Sequence, residues 1–363
     1  MTTIQIDEAK PHQIDETKLN QIVGRALDDV AAISSSALVL IGGELGLYDA
    51  LERIGPASPR ELAGATGTDE RYIRPWLTNQ AAVGYVDYSP ATQRFSLSPE
   101  QALVFTNPDS PVAMLPNFEL TNGAIKAGPR IAEAMKNGAG MPWGDHDESM
   151  HRGVAASFRT SYLHNLVSEW LPALDDVVDK LDSGGLVADV GCGYGVSTII
   201  MAKAFPKARF VGIDNHPASI EKARVAAAEA GVSDRVTFEV ATAQDFAGKG
   251  FDLVAFFDAI HDMGDPLGAA RHARDVLRPG GTVMAVEPMA GDTVEANFNP
   301  VGRMYSAASV LLCSPHAISE GSQRPLGTIA TERELAAVFE TAGFSSFRRA
   351  AASITNRVFE ARV

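Results

Sequence analysis

The chain has 363 residues, of which 45% are hydrophobic, and its formal net charge is −14. This length allows two domains or one large one, and the apolar content is sufficient for a buried core. So acidic a chain is poorly suited to bind nucleic acid or an anionic membrane; with no run of about 20 apolar residues and no secretion signal, we expect a cytoplasmic protein.

The N-terminal region predicts a helical domain that begins after a polar, flexible terminus of residues 1–18. Apolar residues recur at helical spacing from Leu19 to about Leu51. Within this run, residues 37–51 are apolar almost all round, and a helix of that kind needs partners on several sides. We therefore expect this segment to contribute to a dimer interface.

Two further helices and a hairpin complete this domain. Ser58 followed by Pro59 is typical of a helix start, and another helix is predicted over residues 70–83. The runs 85–88 and 94–97 flank a turn and read as two short strands. Helices followed by a hairpin predict a winged helix-turn-helix domain over residues 19–105.

The middle of the chain, residues 106–180, predicts a mostly helical linker or substrate-cap region that prolines interrupt repeatedly. Residues 157–174 form its clearest amphipathic run. This region contains no diagnostic motif. Its role must therefore be inferred from its neighbours.

The C-terminal region, residues 181–363, alternates between strand and helix patterns. This alternation predicts an α/β domain with a Rossmann-like, seven-stranded and mostly parallel sheet. Thr331 and Glu334 have the spacing of a capping box that opens a helix, and no clear period is visible over residues 290–328. The predicted strands are residues 186–190, 209–214, 235–241, 251–257 and 281–287, followed by a closing hairpin of 344–351 and 354–362.

A glycine-rich turn after the first of these strands is the most specific feature of the sequence. Asp189 ends an apolar run, and Gly191, Gly193 and Gly195 follow at alternate positions. A dinucleotide fingerprint would need its third glycine one residue later. The next strand ends in Asp214, where a carboxylate suits a ribose with two hydroxyl groups.

This pattern resembles motif I and the following acidic residue of class I methyltransferases that depend on S-adenosylmethionine (SAM). The resemblance implies SAM as cofactor. In that case Asp189 binds the amino group directly or through water, Asp214 binds the ribose and Asn215 lies near the adenine. Related enzymes have an acidic residue at the end of the third strand, whereas this chain has Thr242. The cofactor-binding residues expected on this basis are Asp189, Gly191, Gly193, Gly195, Asp214, Asn215, Thr242, Ala243 and Asp258.

The segment after the fourth strand carries the catalytic candidate. His261 is followed by Asp262, and the domain order together with this pair resembles small-molecule O-methyltransferases of the winged-helix type from plants and bacteria. The resemblance implies that His261 is the general base for a substrate hydroxyl and that Glu287 orients its ring. Imidazole titrates near neutral pH, as such a base requires.

The acceptor is expected to be a small molecule that is methylated on a hydroxyl, with Phe158 and Tyr162 covering SAM and Met304 and Tyr305 in an apolar lid. The two cysteines, Cys192 and Cys313, form no metal-binding pattern, so no metal is expected. The resemblance also implies that the winged helix mediates a homodimer.

Two alternatives remain open at this stage. The chain could be a transcription regulator that senses SAM, or a SAM-binding protein without methyl-transfer activity. Between Ser34 and Glu100 there are five arginines and no lysine against eight acidic residues, which disfavours DNA binding.

Overall fold

The computed structural model describes residues 14–363, so most of the expected flexible terminus lies outside the described residues. The chain forms two compact units, one ending at Thr106 and one spanning Asn107–Val363.

The first unit is a helical domain with a two-stranded hairpin, as a winged helix requires. Gly46 adopts a left-handed conformation (φ 63°) and divides the long helical run into two helices. Ser58 and Glu61 form a reciprocal capping box at the start of the third helix. The elements are α1 Glu16–Glu44, α2 Leu47–Ile54, α3 Pro59–Thr66, α4 Glu70–Val83, β1 Asp87–Ser89, β2 Arg94–Ser96 and α5 Pro99–Phe105.

Residues 37–51 pack within their own unit. Val39, Tyr48 and Leu51 are buried there, and the Tyr48 hydroxyl donates to Gln80 Oε1 at 2.7 Å. The Trp76 indole donates to the Leu38 carbonyl at 2.9 Å. This apolar segment therefore contributes to the core of the winged helix, while its Ile41 and Leu45 stay 43% and 48% exposed. Its expected part in a dimer interface stays a prediction.

A further set of exposed apolar residues lies earlier in α1. Ile22, Leu27, Val30 and Ile33 are each 57–64% exposed, and their spacing places them along one stripe of the helix. By length and composition α1 could also cross a membrane, with a mean hydropathy of 1.4 over an 18-residue window. The search for an uninterrupted run of about 20 apolar residues did not find this helix, because alanine, glycine and serine interrupt its large apolar residues while its mean hydropathy stays high.

The second unit contains helices that flank a sheet. Its helices are α6 Leu115–Ile125, α7 Gly128–Asn137, α8 Glu148–Asn165, α9 Val177–Asp182, α10 Val196–Ala204, α11 Pro217–Glu229, α12 Pro266–Val276, α13 Pro300–Ala308, α14 Ser314–Ser319 and α15 Glu332–Ala342. The capping box predicted for α15 is present. Helices α13 and α14 and the π-helical turn Ser309–Cys313 between them form an insert after the fifth parallel strand.

The sheet of this unit has seven strands in the order β5-β4-β3-β6-β7-β9-β8. Neighbouring strands from β5 to β7 are parallel, whereas β9 is antiparallel to both of its neighbours. This arrangement confirms the predicted fold class. The strands are β3 Leu186–Val190, β4 Arg209–Asp214, β5 Val236–Val240, β6 Phe251–Phe257, β7 Leu277–Pro288, β8 Ser346–Ala352 and β9 Asn356–Arg362.

Helices cover both faces of the sheet, and each face has its own apolar core. Every residue of β6 is buried, as expected of a central parallel strand. The carboxyl ends of β3, β4, β5 and β6 meet at one edge, which is where ligands bind in open sheets of this kind. The fold therefore places the four predicted strand-end motifs side by side.

Candidate active site

A cavity of about 450 Å³ opens at the carboxyl edge of the sheet, within the size range of small-molecule sites. It is formed by the loops after β3, β4, β5 and β6, by α8 and by the insert. The predicted residues that line it are Phe158, Tyr162, Gly191, Gly193, Asp214, Asn215, Thr242, Ala243 and Asp258. Asp189, Gly195, His261, Glu287, Met304 and Tyr305 do not line it.

Asp214 closes the glycine turn onto the next strand. Its carboxylate accepts hydrogen bonds from the N–H groups of Gly193 (2.9 Å) and His216 (2.8 Å), one on each oxygen. A carboxylate offers about four lone-pair sites, so two remain for a ligand in the cavity. Burial raises the pKa of Asp214 despite these backbone donors. Two ligand hydroxyl groups that donate to the remaining lone-pair sites would therefore stabilise the charged form of this carboxylate.

Asp189 lies beneath the turn and is fully buried. Ser197 and Thr198 each donate a hydroxyl hydrogen bond to its Oδ2 at 2.6 Å. Its Oδ1 has no partner among the described residues. Burial raises the pKa of this carboxyl to about 6, partly offset by the two hydroxyls. A carboxylate in this state is suited to interact with a cationic group through an intervening water.

The turn after β5 holds the position where related enzymes carry an acidic residue. The Thr242 hydroxyl donates to Asp245 at 2.6 Å, which fixes this turn internally. Asp245 does not line the cavity, whereas Gln244 does, with its amide donating to the Asp265 carbonyl at 3.1 Å. Gln244 thus lies beside Thr242 and Ala243 at the expected adenine position and adds a polar amide there. The sequence analysis did not identify this residue.

Asp258 occupies the end of β6 in an unusual backbone conformation, with φ 51°. Its carboxylate accepts hydrogen bonds from the Tyr162 hydroxyl (3.0 Å) and the Asn356 amide (2.8 Å). Burial, reinforced by the nearby Glu287 carboxylate, raises the pKa of Asp258 to about 7. A strained, buried and titratable group at a cavity wall is typical of a functional position.

His261 and Glu287 form a buried pair just behind the cavity. The His261 Nδ1 and a Glu287 carboxylate oxygen lie 2.7 Å apart, and the other oxygen accepts the Ile260 N–H at 3.1 Å. Although burial alone opposes a charged ring, Glu287 raises the pKa of His261 well above its usual range. The carboxylate fixes the ring so that Nε2 is the nitrogen left for chemistry.

A group of histidine rings surrounds Trp143 at one wall of the cavity. Trp143 packs against His146, His151 and His316, with ring centroids 5.5–6.1 Å apart. Trp143, His151 and His316 line the cavity. Burial lowers the pKa of His146 to about 4, so this ring is neutral at pH 7. These residues come from loops and short helices whose approach to the sheet leaves no periodic signal in the sequence.

Glu320 was also missed, and it ties the insert to the cavity loops. Its carboxylate accepts from the Asn215 amide at 2.6 Å and from the Gly264 N–H at 2.9 Å. Asn215 follows β4 and Gly264 follows β6, so one side chain at the end of α14 connects two cavity loops. Asn215 is thereby held at the cavity wall, where the sequence placed it.

Met304 and Tyr305 lie away from this cavity. The Tyr305 hydroxyl donates to the Thr355 carbonyl at 2.9 Å, and Met304 is largely exposed on the same helix. Helix α13 turns Tyr305 toward the strand-end loop before β9. Their expected role as an acceptor lid stays a prediction.

Comparisons with known proteins agree with this architecture. Residues 181–343 match a family model described as a methyltransferase domain, and residues 33–107 match an Rv2258c-like winged HTH domain. An Amycolatopsis mediterranei protein, 27-O-demethylrifamycin SV methyltransferase, is 38% identical over 103 residues, which are 28% of this chain and 38% of that protein. The chain thus spans less than two thirds of the length of this curated relative.

Solved structures resemble the chain over nearly its whole length. An O-methyltransferase family protein from Burkholderia thailandensis has a TM-score of 0.69 at 17% identity, covering 97% of this chain and 98% of that one. Human N-acetylserotonin methyltransferase, solved in complex with SAM, has a TM-score of 0.70 at 16% identity, covering 94% and 97%. At these identities the likeness shows a shared fold.

Proposed function

Since the chain joins a winged helix domain to a methyltransferase domain of the class I fold, we propose that it transfers a methyl group from SAM to a hydroxyl group of a small molecule. The observation that carries this proposal is Asp214, a buried carboxylate with two unused lone-pair sites above a glycine turn and facing a cavity. SAM-bound and O-methyltransferase neighbours of the same fold support the cofactor and the acceptor type.

In the proposed complex the ribose hydroxyls donate to Asp214, and the methionine half lies along the glycine turn. The ammonium group interacts with the unpartnered Oδ1 of Asp189 through water, because Asp189 itself does not reach the cavity. Gln244, Thr242 and Ala243 face the adenine. Phe158 and Tyr162 cover the cofactor from α8.

Methyl transfer then proceeds by direct displacement. The acceptor oxygen attacks the methyl carbon, the S–CH₃ bond breaks, and S-adenosylhomocysteine leaves as a neutral thioether. The hydroxyl proton passes to Nε2 of the neutral form of His261, whose Nδ1 is held by Glu287. Because Glu287 raises the pKa of this ring, the neutral form, and with it kcat, is expected to increase as pH rises. Holding donor and acceptor in line contributes most of the acceleration, and the base contributes the remainder.

Replacing the proposed base tests this assignment. We expect His261→Ala to lower kcat by roughly 10²–10⁴-fold while leaving the SAM dissociation constant unchanged, because the ring lies outside the cofactor cavity. Methyl transfer from labelled SAM and calorimetric SAM binding would be measured together. His164→Ala is the matched control, since this histidine lies at the exposed end of α8. Unchanged turnover in His261→Ala would remove the base assignment.

The ion pairs of the first unit argue against a DNA-binding regulator. Arg60 and Arg74 pair with Glu70, Arg71 pairs with Asp69, and Arg94 pairs with Glu61. These arginines are already matched by carboxylates, so they provide little positive field for phosphates. The other alternative, a SAM-binding protein without transferase activity, would bind SAM in calorimetry but transfer no labelled methyl group in the experiment above.

We also propose that the apolar stripe of α1 binds a second copy of the chain. The alternative, a membrane span, would take Asp28 and Asp29 of α1 out of water. Acidic residues inside a membrane-spanning segment cost free energy, whereas an interface between two α1 helices in water does not require both to lose their hydration. A homodimer through residues 22–33 is therefore favoured over insertion.

A further inference from the structure

Behind the cofactor cavity, three side chains with different metal-binding chemistry converge. His261, Asp262 and Cys313 each offer one ligand atom, and these atoms lie within 4.8 Å of one another. His261 and Cys313 are buried, whereas Asp262 lines the cavity. An imidazole nitrogen, a carboxylate oxygen and a thiolate sulfur are the three kinds of donor that zinc takes in proteins.

Glu287 orients the histidine for such a role. Because Glu287 occupies Nδ1 of His261, the ring presents Nε2 to the cluster, where its N–H donates to the Cys313 sulfur. A carboxylate on the far nitrogen of a ligating histidine is the usual second layer of protein zinc sites, where it fixes the tautomer and strengthens the donor. This layer is present here with full burial of Glu287.

The separations between the ligand atoms of His261, Asp262 and Cys313 are close to those between the ligand atoms of a bound zinc ion. With bonds of about 2.0–2.3 Å, tetrahedral ligand atoms lie roughly 3.3–3.8 Å apart, so closure requires shifts of about 1 Å. His261 and Asp262 share the single 3-10 turn Ile260–Asp262, and Cys313 ends the π-helical turn Ser309–Cys313. Short, irregular turns can adjust by this amount more readily than the sheet can.

We propose that His261, Asp262 and Cys313 bind one zinc ion or a similar borderline-soft divalent transition metal, with a fourth coordination position open to the cavity. Three protein ligands and one open position are the pattern of accessible zinc sites. Cys313 binds as the thiolate and His261 through a deprotonated Nε2, and the protons that they lose are released to solvent. A consequence rests on the proposed function: the metal takes the Nε2 lone pair that the acceptor proton requires, so zinc inhibits methyl transfer.

Cobalt titration of the metal-free, full-length chain tests the site without reference to activity. We expect one Co²⁺ per chain, tetrahedral visible bands and a thiolate-to-cobalt charge-transfer band in the near ultraviolet. Cys313→Ser should lose the charge-transfer band. Cys192→Ser, which changes the other buried cysteine, should keep it. Glu287→Gln should weaken binding by roughly 10–100-fold.

Two further measurements complete the test. Asp262→Asn should weaken zinc binding in calorimetry while the protein keeps its wild-type circular dichroism spectrum. Cobalt binding without a charge-transfer band, or identical titrations of wild type and Cys313→Ser, would overturn the site. Zinc binding as expected with undiminished methyl transfer would leave the metal site standing and remove His261 as the base.

Discussion

At the scale of single residues, Asp258 shows how the fold holds an unfavourable group in place. Its left-handed φ is uncommon for a residue with a side chain, and its carboxylate is buried near Glu287. Tyr162 and Asn356 hold it by hydrogen bonds from two other elements. The surrounding structure thus determines a conformation that the residue alone would avoid.

The raised pKa of Asp258 makes stability depend on pH. Because its folded-state pKa is about 7 against a usual 3.8, the native state binds the extra proton between these values. Stability is therefore present at low pH and lost as pH rises toward 7, by up to about 4 kcal/mol. We expect the melting temperature of Asp258→Asn to change less between pH 5 and pH 8 than that of wild type.

Comparing the variant with wild type isolates this carboxyl from others. Burial also raises the pKa values of Asp189 and Asp262, each to about 6, and these contributions remain in the variant. If the melting temperature of Asp258→Asn shifts as much between pH 5 and pH 8 as that of wild type does, Asp258 is already ionised in the native state at pH 5.

Asp214 is the single residue on which the proposed binding of SAM mainly rests. Removing its carboxylate in Asp214→Ala deletes the acceptor for both ribose hydroxyls, each a hydrogen bond to a charged group. We expect a loss of roughly 1.5–3 kcal/mol in SAM binding, or about 10–150-fold in dissociation constant, measured by calorimetry. Asp234→Ala, a surface carboxylate after α11, should bind SAM as wild type does. Equal affinities would show that the ribose lies elsewhere.

At the scale of elements, the glycine turn after β3 determines how β3 and α10 pack. Gly195 has φ 75°, and a Cβ there would lie 2.5 Å from the ring of Phe238, a buried residue of β5. Gly193 has φ 52°, but a Cβ there meets nothing within 4 Å. The two glycines thus share a backbone requirement and differ in the space around them.

This difference predicts two separate effects. Gly193→Ala should cost only the left-handed strain, about 1–2 kcal/mol of unfolding free energy. Gly195→Ala should add an overpacking cost of about 1–3 kcal/mol against Phe238. Urea unfolding of both variants measures the two costs. Equal destabilisation would mean that Phe238 moves aside without cost.

Much of the fold follows from the sequence because its elements have strong local signals. The predicted runs for β3, β4 and β6 match the observed bounds, since buried parallel strands are continuous apolar runs that end in polar residues. Helices α13 and α14 were not foreseen in residues 290–328. Asn299 caps α13 by accepting from the Gly302 N–H, a signal that was present but lacked a periodic apolar run behind it.

The candidate site was predictable where its residues follow strands. Gly191, Asp214 and Asp258 end or follow strands, so the topology brings them to one edge. His316 and Glu320 approach from a segment whose position depends on tertiary packing, which no local pattern encodes. The pairing of His261 with Glu287 was expected from a resemblance, and in the structure His261 Nδ1 lies 2.7 Å from Glu287 Oε2.

At the scale of the whole molecule, the two units have different tasks in the proposed enzyme. The second unit contains the cavity and every residue that lines it. The first unit presents the exposed stripe of α1. Catalysis and association are therefore expected to be separable by substitution.

Charge placed on the stripe should prevent the proposed dimer. We expect Leu27→Asp combined with Val30→Asp to convert a dimer into a monomer in analytical ultracentrifugation, because each apolar residue would face its copy across the interface. Val225→Asp, an equally exposed valine on α11, is the control and should leave the dimer intact. A monomeric wild type, or a double variant that still dimerises, would rule out this interface.

The carboxylate of Glu320 has a consequence for turnover. It joins the end of α14 to the loops after β4 and β6, which form one wall of the cavity. These two bonds fix the spacing between the loops, so Glu320→Ala should speed release of S-adenosylhomocysteine, measured by stopped-flow fluorescence. An unchanged rate would show that neither bond limits departure of the nucleoside.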